Sequence, residues 1–74
     1  MRAEIKAIRV LSRRVRELRL KKRWTQEKLA EKAYIAPAYL SGIERGVRNP
    51  TTMILARLAA AFKLPIGKLF EESK

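Results

Sequence analysis

The chain has 74 residues, the length of one small domain, and such a domain buries only about 60% of the surface that its unfolded chain exposes. It contains no Cys and no His, which excludes disulfides, thiol chemistry and the commonest metal ligands and general bases. Eighteen Lys and Arg against seven Asp and Glu give a net charge of +11, which favours a polyanionic partner: nucleic acid or an anionic membrane surface.

Membrane-spanning proteins and enzymes are both disfavoured by the sequence. No apolar run approaches the roughly 18 residues that a spanning helix needs. Lys6 and Arg9 interrupt the N-terminal apolar segment where a secretory signal would lie, so we expect a soluble protein inside the cell. The residues offer no acid/base constellation, so we expect neither an enzyme nor a bound metal or cofactor.

The first predicted element is one amphipathic helix over residues 3–22, a stretch without Gly or Pro. Its apolar residues recur every three or four positions: Ile5, Ile8, Leu11, Val15 and Leu18. Residues 1–24 also carry ten Lys and Arg and two Glu, a net charge of +8. Three roles fit this basic segment: a solvated surface, a helix lying on a membrane, or a DNA contact. The pattern that follows it favours DNA over a membrane.

Two short helical patterns follow, with only a few residues between them. Thr25 is a good N-cap for the first, and Pro37 suits the start of the second because a helix does not need an N–H there. Their apolar residues fall on one face of each helix: Leu29, Ala30 and Ala33, then Leu40 and Ile43. Neither stripe is wide enough to be stable alone, so the two helices must pack together as a helix-turn-helix.

The rest of the chain predicts two further helices. Gly46 ends the preceding helix, Thr51 caps the fourth, and Pro65 opens a short fifth over residues 66–70. The core residues expected in these helices are Leu55, Leu58, Ala59, Phe62 and Leu69. Four other apolar side chains fall off that stripe and predict an exposed patch or a fold-back onto the core: Met53, Ile54, Ile66 and Phe70.

These motifs, in this order and spacing, resemble the lambda-repressor and Cro-type helix-turn-helix family, also called the xenobiotic-response-element family. The matching stretches lie within residues 9–70: 16–19, 25–30 apart from Lys28, 39–46, 49–51, 58–59 and Leu69. Residues 39–45 are especially similar to controller proteins of restriction–modification systems. The resemblance implies an all-α, compact five-helix domain over residues 1–74, with the helix-turn-helix at helices 2 and 3. Residues 1–8 would form an N-terminal helical extension, and residues 71–74 a frayed tail.

The resemblance also implies roles in binding DNA, with a recognition helix over residues 37–45 in the major groove. Phosphate contacts are expected from Thr25, Gln26, Tyr39, Arg45 and Arg48. Base-reading positions are expected at Pro37, Ala38, Ser41, Gly42 and Arg48. Since Pro37, Ala38 and Gly42 lack polar side chains, we expect few direct contacts with base edges. Arg48 and the deformability of the DNA should then contribute more to sequence selection.

Other positions are assigned structural roles by the same resemblance. Arg19 and Glu44 are expected to form a salt bridge between the first helix and the recognition helix. Arg23, Tyr34 and Lys63 stand where the family usually has Gly, so these residues must tolerate a left-handed backbone or the turns must differ. Met53, Ile54, Ile66 and Phe70 are expected at a homodimer interface.

The resulting interpretation is a sequence-specific regulator of transcription, prokaryotic or from a phage, that binds double-stranded DNA. It is expected to be cytoplasmic, associated with the nucleoid, and to act as a homodimer on a palindromic operator. Two alternatives remain: an antitoxin that binds a toxin and represses its own operon, and a non-specific nucleic-acid-binding protein. A toxin and RNA polymerase are therefore further candidate partners.

Overall fold

A computed structural model describes residues 2–72, and over this range the fold consists of helices joined by short turns, without β-strands. The elements are α1 (Arg2–Lys21), α2 (Gln26–Ala33), α3 (Pro37–Glu44), α4 (Thr52–Phe62) and a final 3-10 helix (Ile66–Phe70). The all-α, five-helix prediction is confirmed, with the difference that the last helix is a 3-10 helix. None of the described helices combines the length and the apolar character that crossing a membrane requires.

The helix starts follow the predicted capping residues. The Thr25 hydroxyl accepts a hydrogen bond from the Lys28 N–H at 3.0 Å, and the Thr51 hydroxyl accepts one from the Ile54 N–H at 3.2 Å. Pro37 lies in the first turn of α3, as predicted. Each cap satisfies a backbone donor that has no partner inside its helix, so these boundaries are determined by short-range interactions.

The core forms where the five elements meet. Each element contributes at least one large side chain with 0% exposure: Val15, Leu29, Leu40, Leu58 and Leu69. Burying one such side chain is worth roughly 1.5–3 kcal/mol, so the apolar contacts of a single helix cannot stabilise the fold by themselves. Trp24 closes one side of the core, because its ring stacks on Phe62 with the ring centres 5.7 Å apart.

The apolar seam of α1 extends beyond this core. Leu11, Val15 and Leu18 are buried and Ile8 is partly buried, whereas Ile5 remains 51% exposed. Residues 2–7 continue α1 as a helical extension whose side chains are all exposed. The periodicity of α1 therefore predicts the helix correctly, but it does not indicate where the neighbouring elements end.

The C-terminal segment is described as far as Glu72, so only part of the predicted frayed tail lies within the structure. Glu71 accepts a hydrogen bond from the Lys68 ammonium at 2.8 Å, and Arg14 Nη2 lies 3.7 Å from its other carboxylate oxygen. The hydrogen bond from Lys68 lowers the pKa of Glu71 below its ordinary value. Residues 73 and 74 lie outside the described range.

Three turns have a left-handed backbone at residues other than glycine. The φ angles are 60° at Arg23, 58° at Tyr34 and 57° at Lys63, and Gly46 has 75°. Of the two outcomes expected for these turns, the structure has the first: the side chains tolerate the left-handed conformation. Tyr34 and Lys63 each end a helix, and their N–H groups bond back to carbonyls of the last turn, which explains why that conformation is kept.

Candidate nucleic-acid interface

α2 and α3 form a helix-turn-helix in which one face of α3 remains open. The turn between them is residues 34–36, and the Ile35 N–H bonds to the carbonyl of Ala30 at 3.0 Å. Leu40 and Ile43 point into the core at 0% and 1% exposure. Pro37 and Ala38 are exposed at the start of α3. The open face of α3 thus begins with two side chains that carry no hydrogen-bonding group.

A partly buried ion pair joins α3 to α1. The Arg19 guanidinium donates to both oxygens of Glu44, from Nε at 2.7 Å and from Nη2 at 3.0 Å, and its Nη1 donates to the Trp24 carbonyl at 2.8 Å. The two side chains are only 11% and 4% exposed. The hydrogen bond to Glu44 raises the pKa of Arg19 above its ordinary value, which favours the charged guanidinium.

Gln26 extends the pair to α2, because its Nε2 donates to Glu44 Oε1 at 3.1 Å. One carboxylate at the end of α3 therefore accepts hydrogen bonds from side chains of both preceding helices. A bidentate Arg–carboxylate pair restricts direction as well as distance. This arrangement holds α3 in one orientation relative to α1 and α2.

Arg48, in the loop after α3, folds back across the outer face of that helix. A Cβ atom placed on Gly42 would lie 2.5 Å from Arg48 Cγ, 3.4 Å from Nε and 3.5 Å from Cδ. The guanidinium carbon lies 5.8 Å from the centre of the Tyr39 ring. Gly42 is buried, while Arg48 is exposed. The loop thus places a cationic side chain on a helix that has few polar side chains of its own.

Comparison with known proteins decides the family. The sequence profile of a helix-turn-helix family matches residues 15–69. The chain belongs to the Cro/lambda-repressor-type helix-turn-helix family. The transcriptional regulator SinR of Bacillus subtilis is 33% identical over 64 residues, covering 85% of this chain and 58% of SinR. The competence pilus inhibition repressor of Acinetobacter baylyi is 33% identical over 60 residues, covering 81% of this chain and 54% of that protein.

The chain spans about half the length of these relatives, but it is similar to some solved structures over nearly their whole length. The restriction–modification controller protein C.AhdI from Aeromonas hydrophila has a TM-score of 0.82 and 35% identity, covering 85% of this chain and 96% of C.AhdI. A second controller protein, C.Esp1396I, has a TM-score of 0.78 and 33% identity, covering 86% of this chain and 83% of the other. The predicted resemblance is confirmed.

Within the helix-turn-helix, the structure brings some of the predicted DNA contacts together and leaves others apart. The side chain of Arg48 lies against Gly42 and near the ring of Tyr39, so these three residues are adjacent on the surface of α3. Ser41, in the same helix, is partly buried. Arg45 is exposed at the end of α3. Thr25 is exposed but already caps α2, as described above. These roles in DNA contact stay predictions.

Sequence reasoning missed the relationship between Gly42 and Arg48. It gave Gly42 as a base-reading position without a hydrogen-bonding side chain and did not predict that the side chain of Arg48 lies against it. A signal was available, because a glycine inside a helix costs roughly 1 kcal/mol relative to alanine and often marks a close approach of another group. The partner could not be identified from the spacing alone.

The predicted dimer residues lie on the surface of the helix-turn-helix domain to different degrees. Met53 is 64% exposed, and Ile66 and Phe70 are each 36% exposed. Ile54 is partly buried against the core. Phe70 also lines a cleft of about 180 Å³ against the N-terminal part of α1, beside Ile8. Three of the four predicted dimer residues therefore have apolar side chains that a partner could contact.

Proposed function

We propose that this protein is a regulator of transcription that binds double-stranded DNA sequence-specifically, with α3 in the major groove. The observation that carries the proposal is the fixed α3, held by the Arg19–Glu44–Gln26 network, with the Arg48 side chain lying across its open face. A recognition element must keep its orientation relative to the rest of the domain to read base edges. The net charge of +11 supplies the general attraction for DNA.

The proposed contacts divide into positioning contacts and reading contacts. Phosphates would be held by Arg45 and by the N-terminus of α2 at Thr25 and Gln26, where the first N–H groups of a helix lack partners within the helix. Tyr39 would contribute its hydroxyl. The reading contacts would be apolar contacts of Pro37 and Ala38 with thymine methyl groups, polar contacts of Ser41, and Arg48 on a guanine edge. The names of similar proteins, which include a transcriptional regulator and a repressor, support the proposal that the chain regulates transcription.

The proposed active form is a homodimer on a palindromic operator. Two recognition helices related by a two-fold axis would enter successive major grooves about 34–36 Å apart. The exposed apolar side chains Met53, Ile66 and Phe70, with Ile54 beside them, would form the shared interface. Such a protein would work in the cytoplasm, on the nucleoid, and its occupancy of DNA would follow its concentration through the dimer equilibrium.

The test is a selection of binding sites from random duplex DNA, combined with sedimentation of the free protein. The selection is done at about 150 mM salt, where exposed charges more than roughly 8 Å apart are largely screened. We expect an enriched palindrome and a dimer. A protein that stays monomeric and enriches no sequence would contradict the proposal. That outcome would favour non-specific binding, which the high charge and the apolar start of α3 also allow, or a required protein partner such as a toxin or RNA polymerase.

A further inference from the structure

We propose that Gly42 determines sequence specificity by having no side chain, so that Arg48 can cross the recognition helix and present its guanidinium to a guanine. This inference rests on the proposed function, since it names how one base is read by the helix described above. Gly42 is a positioning residue in this account, and Arg48 is the residue that touches the base.

The contact between Gly42 and Arg48 is close at the base of the arginine side chain. The atom nearest to a Cβ on Gly42 is Arg48 Cγ, at 2.5 Å, and the guanidinium Nε follows at 3.4 Å. Cγ is only two bonds from the backbone of Arg48, so a small movement of the tip would not relieve the overlap. An alanine at position 42 would therefore force a different rotamer and carry the whole guanidinium away from α3.

Tyr39 supplies a second surface for the same side chain. It lies three residues before Gly42, so both are on one face of α3, and its ring centre is 5.8 Å from the Arg48 guanidinium carbon. The face of the ring attracts the guanidinium cation and leaves the N–H donors of the guanidinium unused. Within residues 2–72, the side chain of Arg48 has no hydrogen bond and no ion pair beside its contact with the Tyr39 ring. Its donors thus remain open to a ligand while its stem is held.

The chemistry of α3 explains why this arginine would read a base in addition to binding phosphate. Pro37 and Ala38, at the exposed start of the helix, offer no donor or acceptor side chain. A guanine presents two acceptors, O6 and N7, which match the two parallel N–H groups of a guanidinium. A side chain already held in place loses less freedom on binding than a mobile one. Arg48 is exposed and lies against Gly42 and Tyr39 of α3, so its guanidinium is placed to supply these two N–H groups.

The test compares Gly42→Ala, Arg48→Ala and the double variant on the selected duplex and on duplexes with each guanine replaced in turn. We expect both single variants to lose preference for the same guanine, by roughly 5- to 150-fold. The double variant should lose no more than Arg48→Ala, because Gly42 acts only through Arg48. Gly67→Ala is the matched control, since nothing lies within 4 Å of a Cβ at Gly67.

Folding of the variants is measured separately by thermal unfolding. Gly42→Ala should unfold at the same temperature as the parent or higher, because alanine favours a helix interior. Should Gly42→Ala alone be unfolded, the double variant must recover the fold, since the overlap with Arg48 is then gone. A double variant that remains unfolded would overturn the inference.

Two further results would overturn it with the fold intact. One is a Gly42→Ala variant that keeps the guanine preference of the parent. The other is a double variant that loses clearly more than Arg48→Ala, since Gly42 would then matter through its own approach to DNA. If the parent protein selects no sequence at all, both the proposed function and this inference are contradicted. A selected operator combined with an unaffected Gly42→Ala variant contradicts the inference alone.

Discussion

Arg19 and Glu44, separated by 25 positions in the sequence, join the first helix to the end of the recognition helix through hydrogen bonds of 2.7 and 3.0 Å. The carboxylate accepts a third hydrogen bond from Gln26, at 3.1 Å. Charges that are so little exposed must be paired, because transfer of an unpaired charge into the interior is costly. Loss of this ion pair should therefore affect both the stability of the fold and the orientation of α3.

Replacing one partner of this pair should destabilise the fold. Arg19→Met leaves the Glu44 carboxylate, which is 4% exposed, without its cation, and we expect the free energy of unfolding to fall by about 3 kcal/mol. Urea denaturation measures the change, and the fluorescence of Trp24, the single tryptophan in the chain, reports it.

The control is the double variant Arg19→Met with Glu44→Leu. Removing both charges replaces an ion pair by apolar contact, which is often close to neutral for stability. The double variant should therefore be more stable than Arg19→Met alone. Losses that simply add would mean that the two side chains do not depend on each other.

Glycine should stabilise the left-handed turn at Tyr34. A side chain in this region costs roughly 1–2 kcal/mol, and the greater freedom of glycine in the unfolded chain cancels roughly 0.5–1 kcal/mol of the gain. Since Tyr34 has φ 58° and is 83% exposed, Tyr34→Gly should raise the free energy of unfolding by about 0.5–1 kcal/mol. Thermal or urea unfolding is the measurement.

Tyr34→Ala separates the backbone effect from the loss of the ring, because alanine keeps the strain and removes the same side chain. We expect Tyr34→Ala to be no more stable than the parent. In the opposite direction, Gly46→Ala should be destabilising, since Gly46 has φ 75°. Equal stability of the glycine and alanine variants at position 34 would argue against strain at this turn.

Arg48 should matter more for specific binding than an arginine of similar charge elsewhere. Arg48→Ala removes a proposed base contact, whereas Arg13→Ala removes an exposed cation of α1. On the selected duplex we expect Arg48→Ala to lower affinity by about 1–3 kcal/mol and to reduce discrimination between sequences. Arg13→Ala should weaken binding less, and by the same factor on all duplexes. Equal losses, measured by titration at one salt concentration, would show that Arg48 is one positive charge among many.

Charge placed on the proposed dimer surface should separate the subunits. Met53→Glu puts a carboxylate at a position that is 64% exposed, so the monomer should fold normally. We expect the dissociation constant of the dimer to rise by at least about tenfold, which corresponds to roughly 1.4 kcal/mol, and operator affinity to fall with it. Sedimentation over a range of concentrations is the measurement.

Leu20→Glu provides the matched control for the dimer surface, because Leu20 is 53% exposed on α1 and belongs to no proposed interface. It should leave the association state unchanged. Dimers that persist in Met53→Glu, or dissociation caused equally by Leu20→Glu, would place the interface elsewhere.

Local sequence patterns were sufficient for the helices and their ends. Thr25 and Thr51 cap the helices that their positions predicted, and the apolar spacing identified core residues such as Leu11 and Leu58. These features depend on groups within one or two turns of helix, so they can be read from neighbouring residues. The spacing of the helix-turn-helix motifs was likewise enough for the family.

The tertiary structure alone decided how distant parts of the chain meet. Ile5 has the same spacing as the buried residues of α1, yet it is exposed because the core ends before it. Gly42 and Arg48 look like independent surface positions in the sequence, yet the loop folds one side chain onto the other. Burial and side-chain contact depend on where other elements pack, and that information is not contained in the local spacing.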